Sequence, residues 1–260
     1  MDGLETGHWT EDEPLVDGAA IGGRVRAVLE RTEAAHRRTA ARLRASGRED
    51  RASIIERSAA WVRFDLDEPL AAQQLYAAAA QLERARGIQG LADRALEEVL
   101  SLARAERGNI QLADPSSGVL RIISQHGFDP EFLDHFAVVD DDGSACGRAA
   151  MRGAPLVIAD VLTDAGFEPH RRIAAASGFR AVQSTPLIDR AGRLLGVVST
   201  HYPLPCAPQA RDMRLIKRWA DLVGRALATR LHAAIADGSS AADVLAARVR
   251  SRAFPAGVTP

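Results

Sequence analysis

The sequence changes character near Arg107, and this change limits the folds that the chain can adopt. Upstream, apolar residues recur at helical spacing in segments rich in Ala, Arg and Glu. Downstream, short apolar runs alternate with turns that contain Gly, Pro and Asp. The pattern predicts a helical region followed by an α+β domain in which short connections join antiparallel strands.

We divide the chain into four predicted regions: a flexible start over 1–20, a helical arm over 21–87, a folded domain over 88–235, and a tail over 236–260 with a short helix. Within the arm, the apolar spacing predicts helices over 23–45 and 49–63. A third helix is expected to begin at Pro69, with the Asp67 carboxylate accepting from free backbone N–H groups at its start, and to stop at Gly87.

In the folded domain, we predict a first helix over 91–105 and a last helix over 208–236. Turns that carry a late Gly, at 114–118 and 189–192, are typical of hairpins. Strands are predicted over 108–113, 119–126, 136–139, 156–159, 180–188 and 194–201.

Composition narrows the class of function. The 260 residues carry a net charge of −1, so the chain as a whole has no bias toward nucleic acid or anionic membrane. Ten Arg against five acidic residues between Gly23 and Ala60 make the arm locally basic. Because no aromatic or glycine-rich recognition motif accompanies this charge, solvated helix faces are the favoured interpretation over nucleic-acid binding.

The cysteine content and the apolar runs indicate a cytoplasmic protein. Two Cys in 260 residues make no disulfide framework and have no metal-ligand spacing. No apolar run approaches the roughly 18–20 residues of a membrane span, and the N-terminus is acidic, unlike a secretory leader.

The predicted last helix has more apolar surface than one contact uses. A helix lying on a sheet buries one stripe, so the second is expected to be covered by the arm or by another subunit. The first stripe contains Leu215, Trp219, Leu222 and Ala226, and the second contains Ile216, Ala220, Val223, Leu227 and Leu231.

Several segments, taken in order, resemble a bacterial GAF domain of the type found in sensory transducers, over about residues 88–235. The resemblance implies a twisted antiparallel sheet with the first and last helices on one face. It implies a small-molecule pocket under loops and short helices on the other face, and a homodimer paired through the terminal helices. The segments are Gly-Asn-Ile-Gln-Leu (108–112), Leu-Arg-Ile-Ile (120–123), Gly-Ser-Ala-Cys-Gly-Arg-Ala (143–149), Pro-His-Arg-Arg-Ile-Ala (169–174), Arg-Ala-Val-Gln-Ser-Thr-Pro-Leu (180–187) and Gly-Arg-Leu-Leu-Gly-Val-Val-Ser-Thr-His (192–201).

The resemblance places Cys146 and Gly147 at the start of a helix over the pocket. The N–H groups of 146–149 would then face the ligand and lower the pKa of the Cys146 thiol. The branch of the family that reduces free methionine sulfoxide has a similar Cys-Gly setting, which makes a small redox enzyme the alternative function. The further cysteines that this branch uses are absent from 172–178. A small buried residue is therefore the favoured interpretation of Cys146.

Polar residues in two predicted strands are candidate ligand contacts. We expect Gln183, Thr185 and His201 to be polar anchors in a mostly apolar pocket, with hydrogen bonds among protein groups as an equal alternative. His170 and Arg171 lie in the segment that forms a lid in related domains. There they would either meet an anionic group or be surface residues.

We therefore predict a non-enzymatic sensory or regulatory module that binds a small molecule, acting with a separate kinase or regulator. The sequence leaves any cofactor unknown, and an interaction protein with a filled pocket is a further alternative. No phosphate-binding glycine motif occurs, Cys146 and Cys206 match no bilin motif, and no metal or haem spacing relates His126, His135, His170 and His201.

Overall fold

The computed structural model describes residues 18–236, with side chains from residue 23 onward. The chain divides into two compact units, and the boundary in the sequence falls between Pro69 and Leu70. The predicted tail and most of the predicted flexible start lie outside the described residues. Within 18–236, no helix combines the length and the apolar character that crossing a bilayer requires.

The first unit is a helical hairpin. Helix α1 (Gly18–Ala45) and helix α2 (Glu49–Asp67) pack against each other. Gly47 takes the left-handed conformation in the turn between them, with φ of 71°. Arg44 forms ion pairs with Glu49 and Glu56, and these exposed pairs add little stability.

The second unit combines six helices with a five-stranded sheet in the described residues. It contains the predicted first and last helices and five of the six predicted strands in the predicted order, and a 3-10 turn (Glu168–His170) precedes α7. The elements are α3 (Pro69–Arg84), α4 (Gly87–Ala103), β1 (Arg107–Ala113), β2 (Leu120–His126), α5 (Pro130–His135), α6 (Ala145–Arg152), β3 (Leu156–Ile158), α7 (Arg171–Ala176), β4 (Ala181–Ile188), β5 (Leu194–Tyr202) and α8 (Ala210–Ala236).

Helix α3, which the sequence analysis assigned to the arm, belongs to the second unit. Arg218 of α8 donates to the hydroxyl of Tyr76, and Arg230 donates to the carbonyls of Glu83 and Ala85. Asp67, expected to cap α3, is instead the last residue of α2, where its carboxylate accepts from Arg63.

The strands lie in the order β2-β1-β5-β4-β3, and every neighbouring pair is antiparallel. Helices α4 and α8 pack on one face, which we call the helix face, and α6 packs against β3, β4 and β5 on the other. The predicted strand over 136–139 is reduced to one bridge between Leu120 and Val139. This arrangement confirms the α+β fold expected from the resemblance.

Helix α8 lies close to the sheet and to α4. A Cβ at Gly224 would come within 2.5 Å of the Ile188 carbonyl oxygen, and the indole N–H of Trp219 donates to the carbonyl of Ala95 at 3.0 Å. Ile216, Val223 and Leu227 of the predicted second stripe are buried in this single chain. That stripe therefore does not require a second subunit to cover it.

Candidate functional site

A small cavity lies between the sheet and the elements opposite the helix face. Its volume is about 20 Å³. A cavity of roughly 10–15 Å³ holds one water molecule, so this space is of that size. Residues from β1, β4, β5 and α6 line it, together with aromatic side chains: Asn109, Gln111, Phe132, Phe136, Ser144, Ala145, Cys146, Phe167, Phe179, Val182, Ser184, Ser199 and His201.

The sheet side of the cavity is polar, and we call Asn109, Gln111, Ser184, Ser199 and His201 the polar floor. All of them are buried. The Ser184 and Ser199 hydroxyls hydrogen bond to each other at 2.8 Å. By contrast, Asn109 Oδ1, both polar atoms of the Gln111 amide and His201 Nδ1 have no hydrogen-bond partner among the described residues. Buried polar atoms without a partner are uncommon in proteins, because burial removes their hydrogen bonds to water and nothing replaces those bonds.

The opposite side of the cavity is apolar, and we call Phe128, Phe132, Phe136, Phe167 and Phe179 the aromatic lid. Phe128 and Phe132 stack with ring centroids 3.6 Å apart and planes 5° apart. Phe128 and Phe179 meet the His201 ring edge to face, at centroid distances of 4.9 Å and 4.7 Å. The lid therefore packs onto the floor through ring contacts.

The lining of the cavity is electrically neutral. Burial, aided by the positive charge of Arg107, lowers the pKa of His201 to about 3. Burial raises the pKa of the Cys146 thiol, although its hydrogen bond with Ser144 opposes this rise. No Asp, Glu, Lys or Arg side chain of the described residues lines the cavity. At neutral pH the space is therefore surrounded by dipoles and carries no formal charge.

Gln183 and Thr185 do not share the cavity with His201. Gln183 pairs with Thr200 in the sheet, so its side chain points to the helix face, whereas His201 points to the cavity. The Gln183 amide donates to the Thr185 hydroxyl and accepts from Thr200 Oγ1 at 3.1 Å. The expectation of three anchors in one pocket is wrong, and the alternative of hydrogen bonds among protein groups describes Gln183.

An irregularity in the β4–β5 hairpin causes this difference. Ile188 pairs with Leu194, but Leu187 pairs with Gly196, so the register shifts between residues 187 and 188. Without the extra residue on β5, Gln183 would lie opposite Ser199 and on its face. A one-residue shift moves a whole strand to the other face, which separates Gln183 from His201.

Cys146 and Gly147 lie in the first turn of α6, as expected, but the chemistry differs. Ser144 caps the helix and accepts from the Gly147 N–H at 3.1 Å, so that donor serves the cap. The Cys146 thiol also donates to Ser144 Oγ at 3.4 Å. The expected lowering of the Cys146 pKa is wrong, because desolvation outweighs the helix start. A Cβ at Gly147 would lie 2.0 Å from the Asp141 carbonyl oxygen, so this close approach requires glycine.

His170 lies behind the aromatic lid, outside the residues that line the cavity. Its Nδ1 is 2.9 Å from Nε2 of His135, and its Nε2 is 3.6 Å from Asp141 Oδ1. Burial lowers the pKa of His170, against the attraction of Asp141. The hydrogen bond between the two histidines joins α5 to the turn that precedes α7.

Arg171 holds a loop together. Its guanidinium donates to the carbonyls of Val161 and Asp164 at 3.2 Å and 2.9 Å. The Asp164 carboxylate in turn accepts from Arg148 of α6. In this structure both Arg171 and Asp164 therefore position the 159–170 loop that carries Phe167.

Asn109 and Gln111 are the site residues that the sequence analysis missed. They alternate with Ile110 and Leu112 along β1, and this period-two pattern of buried amides was available in the sequence. The signal was present in the Gly-Asn-Ile-Gln-Leu segment, but it served there only to identify the fold.

A comparison with known protein families assigns most of the second unit to one family. A family model described as a GAF domain matches residues 85–228, which is more than half of the chain. No curated protein sequence matches the chain significantly.

Three solved structures have the same fold at low identity, which carries no functional information by itself. The GAF domain of an Acinetobacter phosphoenolpyruvate-protein phosphotransferase is 13% identical with a TM-score of 0.53, covering 65% of this chain and 97% of that one. A domain of a putative two-component sensor histidine kinase protein from Sinorhizobium meliloti 1021 is 17% identical with a TM-score of 0.50, covering 60% and 99%. Free methionine-R-sulfoxide reductase from Neisseria meningitidis, solved with its substrate, is 16% identical with a TM-score of 0.52, covering 61% and 89%.

Proposed function

Because the chain belongs to the GAF domain family, we propose that it is a non-enzymatic regulatory module that binds a small molecule between the polar floor and the aromatic lid. One observation carries the proposal. Asn109, Gln111 and His201 are buried around one cavity, and each has a polar atom without a partner among residues 18–236. A ligand that supplied those partners would be bound by groups that the fold leaves unsatisfied.

An unsatisfied buried amide lowers the stability of the folded chain. A buried donor or acceptor without a partner costs about 1–3 kcal/mol. In the same sheet both polar atoms of the Gln183 amide have a partner, Thr185 or Thr200, so the fold is able to pair a buried glutamine. A bound ligand that hydrogen bonds to Gln111 would offset this cost.

Binding requires the lid to move, since small-molecule sites usually enclose about 300–1,000 Å³. The lid residues lie on short elements and loops: Phe132 on the six-residue α5, Phe136 just after it, and Phe167 just before the 3-10 turn. Segments of this kind open at lower free energy than a central sheet does. The reverse face of β1, β4 and β5 carries α4 and α8, so movement at the floor would be transmitted to these helices.

Native mass spectrometry of the freshly purified 260-residue chain tests the proposal. We expect an added small-molecule mass in the wild type and in Gln183→Leu, and its loss in Gln111→Leu. The two variants make the same chemical change on opposite faces of the sheet, so each is the control for the other. A mass that persists in Gln111→Leu, or no added mass in any of the three proteins, would contradict binding at the polar floor.

The properties of Cys146 argue against a thiol enzyme. A nucleophilic cysteine needs a lowered pKa and access to solvent, whereas Cys146 is buried and its pKa is raised. Thiol-dependent reduction of free methionine sulfoxide by the wild type, abolished in Cys146→Ala, would establish the redox function instead. We expect Cys146→Ala to keep ligand affinity within about tenfold.

The output side of the proposal is a homodimer that acts on a separate kinase or regulator. The accessible apolar positions of α8 lie near its end, where Leu231 is half-buried and Ile235 is 54% exposed. They border a groove of about 440 Å³ that Leu194 and Leu195 also line. We place the subunit contact here, beyond the buried row at 216–227. Ile235→Glu should shift sedimentation from dimer to monomer, and an unchanged sedimentation coefficient would contradict this contact.

A further inference from the structure

We infer that the ligand of this cavity is an uncharged, flat molecule whose edge carries an amide-type donor and acceptor side by side. The inference rests on the proposed function and adds the chemical class of the ligand. It follows from the charge of the lining, the kinds of atom left without partners, and the ring packing of the lid.

The neutral lining selects against ions. Moving a charged group from water into a site without an opposite charge is strongly unfavourable. The side chains around this cavity are amides, hydroxyls, one thiol, aromatic rings and the His201 imidazole, which the buried setting keeps neutral. An anionic ligand would therefore lose its hydration without gaining a cation as partner.

The unpaired atoms include both hydrogen-bond acceptors and a hydrogen-bond donor. Asn109 Oδ1 and Gln111 Oε1 are acceptors, so they require a donor on the ligand. Gln111 Nε2 is a donor and requires an acceptor. Asn109 and Gln111 are two residues apart on the same face of β1, so a single ligand edge lying along that strand reaches both.

The lid favours a flat molecule. Four of the residues that line the cavity opposite the floor are phenylalanines, and the Phe128 and Phe132 rings stack within 5° of parallel. His201 meets the Phe128, Phe132 and Phe179 rings edge to face. A planar ring inserted here makes offset-stacked or edge-to-face contacts with the lid while its polar edge meets the floor.

Three probes of nearly the same shape separate these requirements: benzamide, benzoate and ethylbenzene. Each is titrated into the full chain at neutral pH and followed by ligand-observed NMR. We expect benzamide to bind at least about tenfold more tightly than benzoate, because only benzoate loses the hydration of a charge. We also expect Gln111→Leu to weaken benzamide about tenfold and to bind ethylbenzene better than the wild type does.

Two further variants keep the test decisive. Gln183→Leu should leave all three affinities unchanged, since its side chain lies on the helix face. If Gln111→Leu loses its native circular dichroism, Asn109→Ala replaces it, and benzamide binding should again weaken.

Three results of the probe titrations would overturn the inference. Benzoate binding as tightly as benzamide would overturn the neutral class, and ethylbenzene binding as tightly would overturn the amide edge. Failure of all three probes would also overturn the inference. None of these results removes the proposed function, which stands or falls on the Gln111-dependent mass in native spectrometry.

Discussion

Gln183 and Gln111 are buried amides in the same sheet, on opposite faces, and their surroundings differ. On the helix face, Gln183 donates to Thr185 and accepts from Thr200, and the neighbouring core is packed by α4 and α8. On the cavity face, Gln111 is 1% exposed and neither polar atom of its amide has a partner in the described part of the chain. The comparison teaches that a buried polar residue is a weak indicator of a site, whereas a buried polar residue without a partner is a strong one.

The largest effect is expected on the helix face. Trp219→Ala removes a side chain that is 1% exposed together with its hydrogen bond to Ala95. We expect a loss of about 3–5 kcal/mol in the free energy of unfolding, measured by urea denaturation. Thr229→Ala, at an exposed position of the same helix, is the matched control, with a change below about 0.5 kcal/mol. Equal effects of the two substitutions would mean that the helix face is not the tightly packed one.

Acid should act on the cavity face. The pKa of His201 is about 3 in the fold against 6.5 when unfolded, and the pKa of His170 is also lowered, mainly by burial. Both groups take up a proton more readily in the unfolded chain, so stability is complete above about pH 6.5 and falls as the pH falls. For His201 alone the expected slope is about 1.4 kcal/mol per pH unit between roughly pH 6 and 4.

Urea denaturation at a series of pH values measures this slope. The carboxyl groups with lowered pKa, such as Asp141 and Asp189, have an unfolded value of 3.8 and contribute only at the acidic end of the range. His201→Gln should remove most of the slope. A variant with the wild-type slope would show that the imidazole is not held neutral by the cavity.

Gln183→Leu should destabilise the protein moderately. The substitution leaves the buried hydroxyls of Thr185 and Thr200 without their amide partner. We expect the free energy of unfolding to fall by about 1–3 kcal/mol in thermal or urea denaturation. Gln183→Glu is less informative because it adds a buried charge. No measurable loss would place Gln183 among the dispensable polar groups of the core.

Gln111→Leu should have the smallest effect, and in the opposite direction. Since the Gln111 amide has no partner to lose within the described part of the chain, an apolar side chain of similar volume is expected to leave stability unchanged or to raise it by up to about 1 kcal/mol. The melting temperature of the ligand-free protein, compared with that of Gln183→Leu, is the measurement. A fall as large as that of Gln183→Leu would erase the difference between the two faces.

Much of the fold followed from local patterns. The polar–apolar alternation in β1, the short apolar runs in β4 and β5, the turn at Asp189 and the length of α8 each depend on residues that are close together in the sequence. The predicted first and last helices of the domain and five of its six predicted strands are present in the predicted order, whereas α5 and α7 were not predicted individually. The predicted strand over 136–139 forms only the bridge between Val139 and Leu120 in the described residues.

The site was harder to predict, and the β4–β5 register explains why. Period-two alternation places each polar residue on one face of its own strand but does not relate the faces of two strands. The shift beside Leu187 decides that relation, and it reverses the side on which Gln183 lies with respect to His201. The favoured interpretation of Cys146 as a small buried residue is confirmed, but the extent of its burial is a property of the assembled domain, so the effect of burial on the thiol pKa was not predicted.

The strand order also determines when the polar floor forms during folding. The β1–β2 and β4–β5 hairpins join neighbouring segments, whereas the β1–β5 pairing brings together strands separated by all of α5, α6 and α7. Such long-range pairing is the slow part of folding, because a long loop must close before any contact forms. Asn109 and Gln111 on one side of this seam, and Ser199 and His201 on the other, meet only at that step. We therefore expect the unsatisfied amides to be buried late in folding, after the local hairpins have formed.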